Sequence, residues 1–329
     1  MSSRILHIGN GHCTTNLIEA AGIPGRTMVW ADPLNEGPVP GGISDDELVR
    51  VRAGFLAPLT SRHVDEVAAD LRGWRAAIDD HDAYDELVLW FEHDLFDQLN
   101  LIQLLAHLGG RRPQTTPVTL VCIDRYPGHP NFKGLGQLEP DDLAALFPTR
   151  QPVGDSQFEL ALRAWQAFRA SDPREIEALL ATDVTPLPFL AAAFRRHLQE
   201  LPSVENGLSR SERRLLEQVR DGSTNLRQIF PRMQDGETAY YITDSSLWDC
   251  VQSLALASPV LLSVDAPASS TEALPEATIA LTPAGHEVLS GSADRVRLCG
   301  IDRWFGGVHA KGSGPVWRWS DREARAVMA

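Results

Sequence analysis

A parallel, doubly wound α/β sheet at the N-terminus, followed by helices, is the fold class this sequence predicts. Three observations carry that expectation. Apolar strand-like runs alternate with helix-period segments over the first 125 residues. One of those runs, Leu87-Val88-Leu89-Trp90-Phe91, is apolar without a break, as in a strand buried on both faces. Each of four such runs ends in polar residues, as loops at the carboxyl edge of an open α/β sheet do.

In chain order, Arg4–Gly9 is the first strand, and Gly9-Asn10-Gly11-His12 follows it as a turn. Thr14 or Thr15 is placed to cap a helix over Asn16–Ala21. A glycine-flanked turn between strand and helix can cradle an anion with backbone N–H groups, so Gly9, Asn10 and Gly11 are candidate ligand-binding residues. The same glycines also suit a tight turn with no ligand. Thr27–Ala31 is the second strand. It leads into Asp32-Pro33-Leu34-Asn35-Glu36-Gly37-Pro38, a stretch whose prolines and glycine forbid regular structure. Ser44 heads a capping box for a helix, and a second helix covers Ser61–Ile78.

The third strand runs into Glu92-His93-Asp94, and apolar residues then recur at helical spacing through Leu95, Phe96, Leu99, Ile102, Leu105 and Leu108. Pro117–Ile123 is the fourth strand and ends at Asp124. Right-handed crossovers bring four strand ends to one edge, giving a Rossmann-like or flavodoxin-like sheet over 1–137. Helices without strand-like runs fill a connector over 138–205, ending in a hinge at Pro202–Leu208. In 206–329, helices at Ser209–Arg220, Leu226–Met233 and Ser245–Ala257 precede β-rich runs at Val260–Val264 and Thr278–Leu281. This is a winged-helix-like outline. The tail carries Trp304, Trp317 and Trp319, expected to staple it onto a neighbouring domain.

Composition narrows the function classes. The chain has 329 residues and a net charge of −14, and acids outnumber bases in each of the three parts. General nucleic-acid affinity is therefore not expected. No apolar run is long enough to cross a membrane, and the N-terminus lacks a signal-peptide layout. Cys13, Cys122, Cys250 and Cys299 are far apart and form no CxxC pair, so a reduced, cytoplasmic protein is the simplest reading.

Together, HIGNG, VWADPLNEGPVP, LWFEHDLFDQL, NGLSRSERRLL and GIDRWFGGVH…WRW resemble a bacterial family known as domain of unknown function eighteen-thirty-five. The resemblance covers most of the chain. It implies an α/β N-terminal domain and a helical C-terminal region, and it brings no activity, substrate or cofactor.

The candidate catalytic residues are Glu92, Asp94, Asp32, Glu36 and His12, all expected at one cleft on the carboxyl edge. Asp94 is also placed to cap the helix at Leu95, and Asp97 to favour that helix's positive end. Glu92 directly continues a buried strand. It therefore needs a partner: Arg52, Arg125, a tail arginine or a metal ion. Oxygen ligands suit Mg²⁺, while His12 or His93 would admit Mn²⁺ or Zn²⁺. The favoured expectation is an enzyme acting on a small phosphate-bearing metabolite or nucleotide, with a metal such as Mg²⁺ or Mn²⁺ assisting. The alternatives are a ligand-sensing regulator acting on DNA or protein, and a scaffold with a vestigial site.

Overall fold

The structure, a computed structural model, describes residues 4–110, 116–265 and 274–329. The chain divides into two compact units. Residues 1–194 with 306–308 form one, and 195–305 with 309–329 form the other.

The first unit is built on five strands in the order β2-β1-β3-β4-β5. β1 (Ile5–Gly9) leads to α1 (His12–Ala20) and then β2 (Arg26–Val29). α2 (Asp45–Thr60) and α3 (Val64–Asp79) form a hairpin packed through Val49, Ala53, Leu56, Val67 and Leu71 before the chain returns as β3 (Glu86–Glu92). α4 (Leu95–Gly109) connects β3 to β4 (Val118–Ile123). β2, β1, β3 and β4 are all parallel, with Gly9 opposite Trp90 and Glu92 opposite Ile123. β1 therefore lies between β2 and β3, and the strand order reverses there. This is the switch point outside which doubly wound sheets bind ligands.

The sheet is covered on both faces. Val88 and Trp90 point into a core with Ile18, Leu135, Leu138 and Leu143, which brings in α1 and α5 (Pro140–Leu146). Leu87, Leu89 and Phe91 are fully buried on the other side, where α4 packs on the helix Asp155–Phe168. This explains the unbroken apolar run in β3.

Three features depart from the sequence reading. β5 (Gln151–Pro152) adds an antiparallel edge strand within a region expected to hold only helices. It is followed by α6 (Asp155–Phe168), α7 (Arg174–Leu180) and α8 (Leu190–Leu198). The first helix begins at His12, four residues before the expected Asn16, because Gly11 is extended at φ 172° and serves as N-cap. Neither threonine caps it. The Thr14 hydroxyl donates to Asn10 Oδ1 at 2.7 Å, and the Thr15 hydroxyl lies near the Gly11 and His12 carbonyls.

In the second unit, α9 (Arg210–Arg220), α10 (Leu226–Met233) and α11 (Asp244–Ala255) pack around Leu215, Leu216, Ile229, Leu247 and Val251. β6 (Leu262–Asp265) and β7 (Thr278–Leu281) pair antiparallel, and Asn225 bridges to Thr278. Residues 266–273, which join these two strands, lie outside the described residues. Then come α12 (Pro283–Leu289), α13 (Arg295–Cys299), and four short strands: β8 (Ile301–Phe305), β9 (Val308–Gly312), β10 (Trp317–Ser320) and β11 (Arg325–Met328).

The expected hinge is not a free linker. Ser203 and Leu208 are buried, Val204 N–H donates to Trp319 O, and Trp319 N–H donates to Pro202 O. Arg318, buried one residue earlier, pairs with Asp294 at 2.6 Å and donates to Ser203 O. No helix among the described residues is long and apolar enough to cross a membrane.

Candidate functional site

The two turns that flank the switch point meet. The turn after β1 presents Asn10, and the end of β3 with the first turn of α4 presents Glu92, Asp94 and Asp97. Asn10 Nδ2 donates to Asp97 Oδ2 at 2.9 Å, and the same amide also reaches the Glu92 carboxyl. The Asn10 carbonyl oxygen is occupied by the Thr14 hydroxyl, which turns the NH₂ group toward the acids.

Glu92 is 6 % exposed, and its Oε1 accepts the backbone N–H of Leu135, which opens a single 3-10 turn over Leu135–Gln137. That turn approaches so closely that a Cβ at Gly134 would overlap the Glu92 carboxyl group. Here the glycine is required by close approach, since its φ of 176° is ordinary extended backbone. Gln98 Nε2 donates to the Glu92 main-chain oxygen at 2.6 Å, and the thiol of the half-buried Cys122 lies on the same oxygen.

Asp94 is the N-cap of α4, with Oδ1 accepting the Asp97 N–H at 2.9 Å. Asp97 is 1 % exposed and within hydrogen-bond reach of Glu92, and its Oδ1 accepts no N–H donor. No lysine, arginine or protonated histidine is paired with any of the three among the described residues.

Burial therefore dominates their acidity, because it penalises the charged form and no cation offsets it. It raises the Glu92 pKa against hydrogen bonds from Asp97, Leu135 and Asn10. Burial, and then the Glu92 charge, push Asp94 up to about 7. Asp97 rises well above the carboxylate range through burial and the charges of Glu92 and Asp94. Burial also raises the Cys122 thiol and lowers His93, which packs between the rings of Phe132 and Phe189.

Asp32 and Glu36, also expected at this edge, are engaged with Arg52. Asp32 is 2 % exposed and turned into an ion pair with Arg52, at 2.6 Å, while its main chain is held by both ends of the Asn100 amide. Arg52 is fully buried and also donates to the carbonyls of Pro33 and Glu36. The proline-rich loop is thus wrapped around a guanidinium, which takes Asp32 out of the acidic group; Glu36 contributes its carbonyl to the same centre. His12 is exposed on the first turn of α1, and Gly9 and Gly11 border the Asn10 turn.

The cations considered as partners for Glu92 are engaged elsewhere. Arg125 pairs with Asp124, Arg303 with Glu200, and Arg318 with Asp294. Among the described residues no group of three or more His, Cys, Asp or Glu is placed to hold a metal ion.

Sequence reasoning missed the roles of Asp97, Gly134 and Gln98. Asp97 was visible three residues after the cap, but the capping pattern alone explained it. Gly134 is 42 residues from Glu92, and no local signal joins them. No family model matches the chain, and no similar protein is found among curated sequences.

Proposed function

We propose that the first unit binds a small phosphate-bearing metabolite or nucleotide at the switch point and acts on it by acid–base chemistry. The observation that supports this most is a buried acidic cluster with no counter-cation, at the ends of β1 and β3. Such a cluster opposes stability, and perturbed carboxyls of this kind concentrate where chemistry is done. Asp94, with its pKa near 7, is poised to exchange a proton at neutral pH. The first N–H groups of α1 have no side-chain cap, and they would receive the anion next to Asn10.

Amide chemical shifts on titration with inorganic phosphate, a nucleoside monophosphate and a sugar phosphate test this reading. It expects saturable shifts at Gly11, His12 and Cys13 with the phosphates and none with ribose. No response to any phosphate would overturn it.

A second reading is a ligand-sensing regulator, in which the second unit is winged-helix-like. Three helices, the β6–β7 pair and the Asn225–Thr278 bridge support it. However, the exposed positions of α11 are Asp244, Ser245, Asp249, Gln252 and Ser253, and none is basic. That surface would repel phosphates, so a protein is the better partner for it. Mobility-shift assays at low salt separate the cases, because tight, salt-sensitive duplex binding would favour DNA.

A further inference from the structure

We propose that Glu92 and Asp97 hold one proton between them, with Asp97 the neutral acid and Glu92 the carboxylate that accepts from it. The hydrogen-bond pattern assigns the roles. Asp97 Oδ2 accepts from Asn10, while Asp97 Oδ1, fully enclosed, meets no N–H donor. An enclosed oxygen without a donor is explained if Asp97 carries the proton and is itself the donor to the Glu92 carboxylate beside it. Glu92 then collects three donors: the Leu135 N–H, an Asn10 N–H and the Asp97 O–H. Its single charge is distributed over three hydrogen bonds, and no second charge is buried beside it. The Gly134–Leu135 approach holds that carboxylate in place, since nothing larger than glycine leaves room for it.

The surroundings agree with one proton on the pair. The titratable groups facing it are Asp94 from the start of α4 and Cys122 from β4, neither of them a cation. Burial lowers the His93 pKa against its bond to the Ile123 backbone and the charge of Asp124, and His12 is exposed on α1. Two adjacent carboxylates without a cation cannot both ionise at moderate cost, as in other acid pairs that share a site.

The consequence rests on the proposed function. A singly charged pair lets an anion approach the Asn10–His12 turn, and it places a proton donor next to that anion.

Infrared spectroscopy of the full chain tests the proton directly. The measurement is made at about pH 8, above the ~7 of Asp94, so that Asp94 is ionised. The carbonyl stretch of a protonated, buried carboxyl should be present, shift in D₂O, disappear in Asp97→Asn and persist in Asp94→Asn. The asparagine amide can donate to Glu92 as the acid does, so Asp97→Asn is expected to fold. If it does not, absence of the band from the wild type alone overturns the proposal, as does a band that survives Asp97→Asn. Calorimetry with inorganic phosphate keeps the two claims apart. A band without phosphate binding sustains the shared proton and removes the phosphate reading, whereas binding without a band overturns the shared proton only.

Discussion

Arg52→Met should be among the most damaging single changes in the first unit. Arg52 has no exposed surface, and Asp32 is 2 % exposed. The guanidinium meets the carboxylate at 2.6 Å from Nη2 and 3.1 Å from Nε, and donates to Glu36 O at 2.6 Å and Pro33 O at 3.0 Å. Methionine fills much of the same volume and supplies none of those donors. Removing one member of a buried pair leaves the other charge uncompensated, which costs about 3–5 kcal/mol. The carbonyls sit in a loop and can partly rehydrate, so they add less than the ~1 kcal/mol expected of each fully lost hydrogen bond. A second change, Asp32→Leu on the Arg52→Met background, should recover most of the loss, because replacing both charges by apolar groups is close to neutral. Urea unfolding followed by hydrogen exchange at α2 and β2 amides isolates this unit from the other. A loss under about 1 kcal/mol for Arg52→Met, or no recovery in the double variant, would refute the assignment of Asp32 to a structural pair.

Two further outcomes follow from the same geometry. Gly134→Ala should destabilise by about 1–3 kcal/mol through overpacking, and most of that cost should vanish when Glu92 is also replaced by alanine; an additive double-mutant cycle would contradict the contact. His7 is fully buried, its Nδ1 accepting from Trp90 Nε1 at 3.1 Å and its Nε2 bonded to Pro24 O, so the ring is neutral with the proton on Nε2. Burial lowers its pKa below 6.5. Its contribution is therefore complete above pH 6.5 and is lost as pH falls below that value toward the folded pKa. His93 and His197 act in the same direction, so the check is the NMR titration of His7 itself, and a midpoint at or above 6.5 would contradict it.

The four parallel strands were legible because their signals are local: unbroken apolar runs ending in polar turns. β5 was not, since two residues including Pro152 at a sheet edge leave no periodicity to read. The tail strands were obscured by their tryptophans, which suggested a staple and gave no pairing. Glu92 could be found from its position on a buried strand, and Asn10 from its turn. Asp32 could not be separated from them, because what removes it is Arg52, 20 residues away on a helix whose charges look like an exposed face. Asp97 was hidden by a sufficient simpler explanation, the capping pattern of α4. Partners distant in sequence decide which acids are structural and which are left without a cation, and those distances are set by the fold.

The proposed function requires that the Glu92, Asp94 and Asp97 cluster be held for chemistry at the expense of stability. The unfolding free energy of Glu92→Gln against wild type at about pH 8 tests this most directly. Glutamine can keep the Leu135 N–H bond through its carbonyl oxygen, which can also accept the Asp97 O–H, while removing a buried charge that no cation offsets. Stability should be unchanged or raised by up to about 2 kcal/mol, within the range of stabilising substitutions at functional sites. A loss of about 3–5 kcal/mol would show that the Glu92 carboxylate is a structural partner, and would contradict the claim.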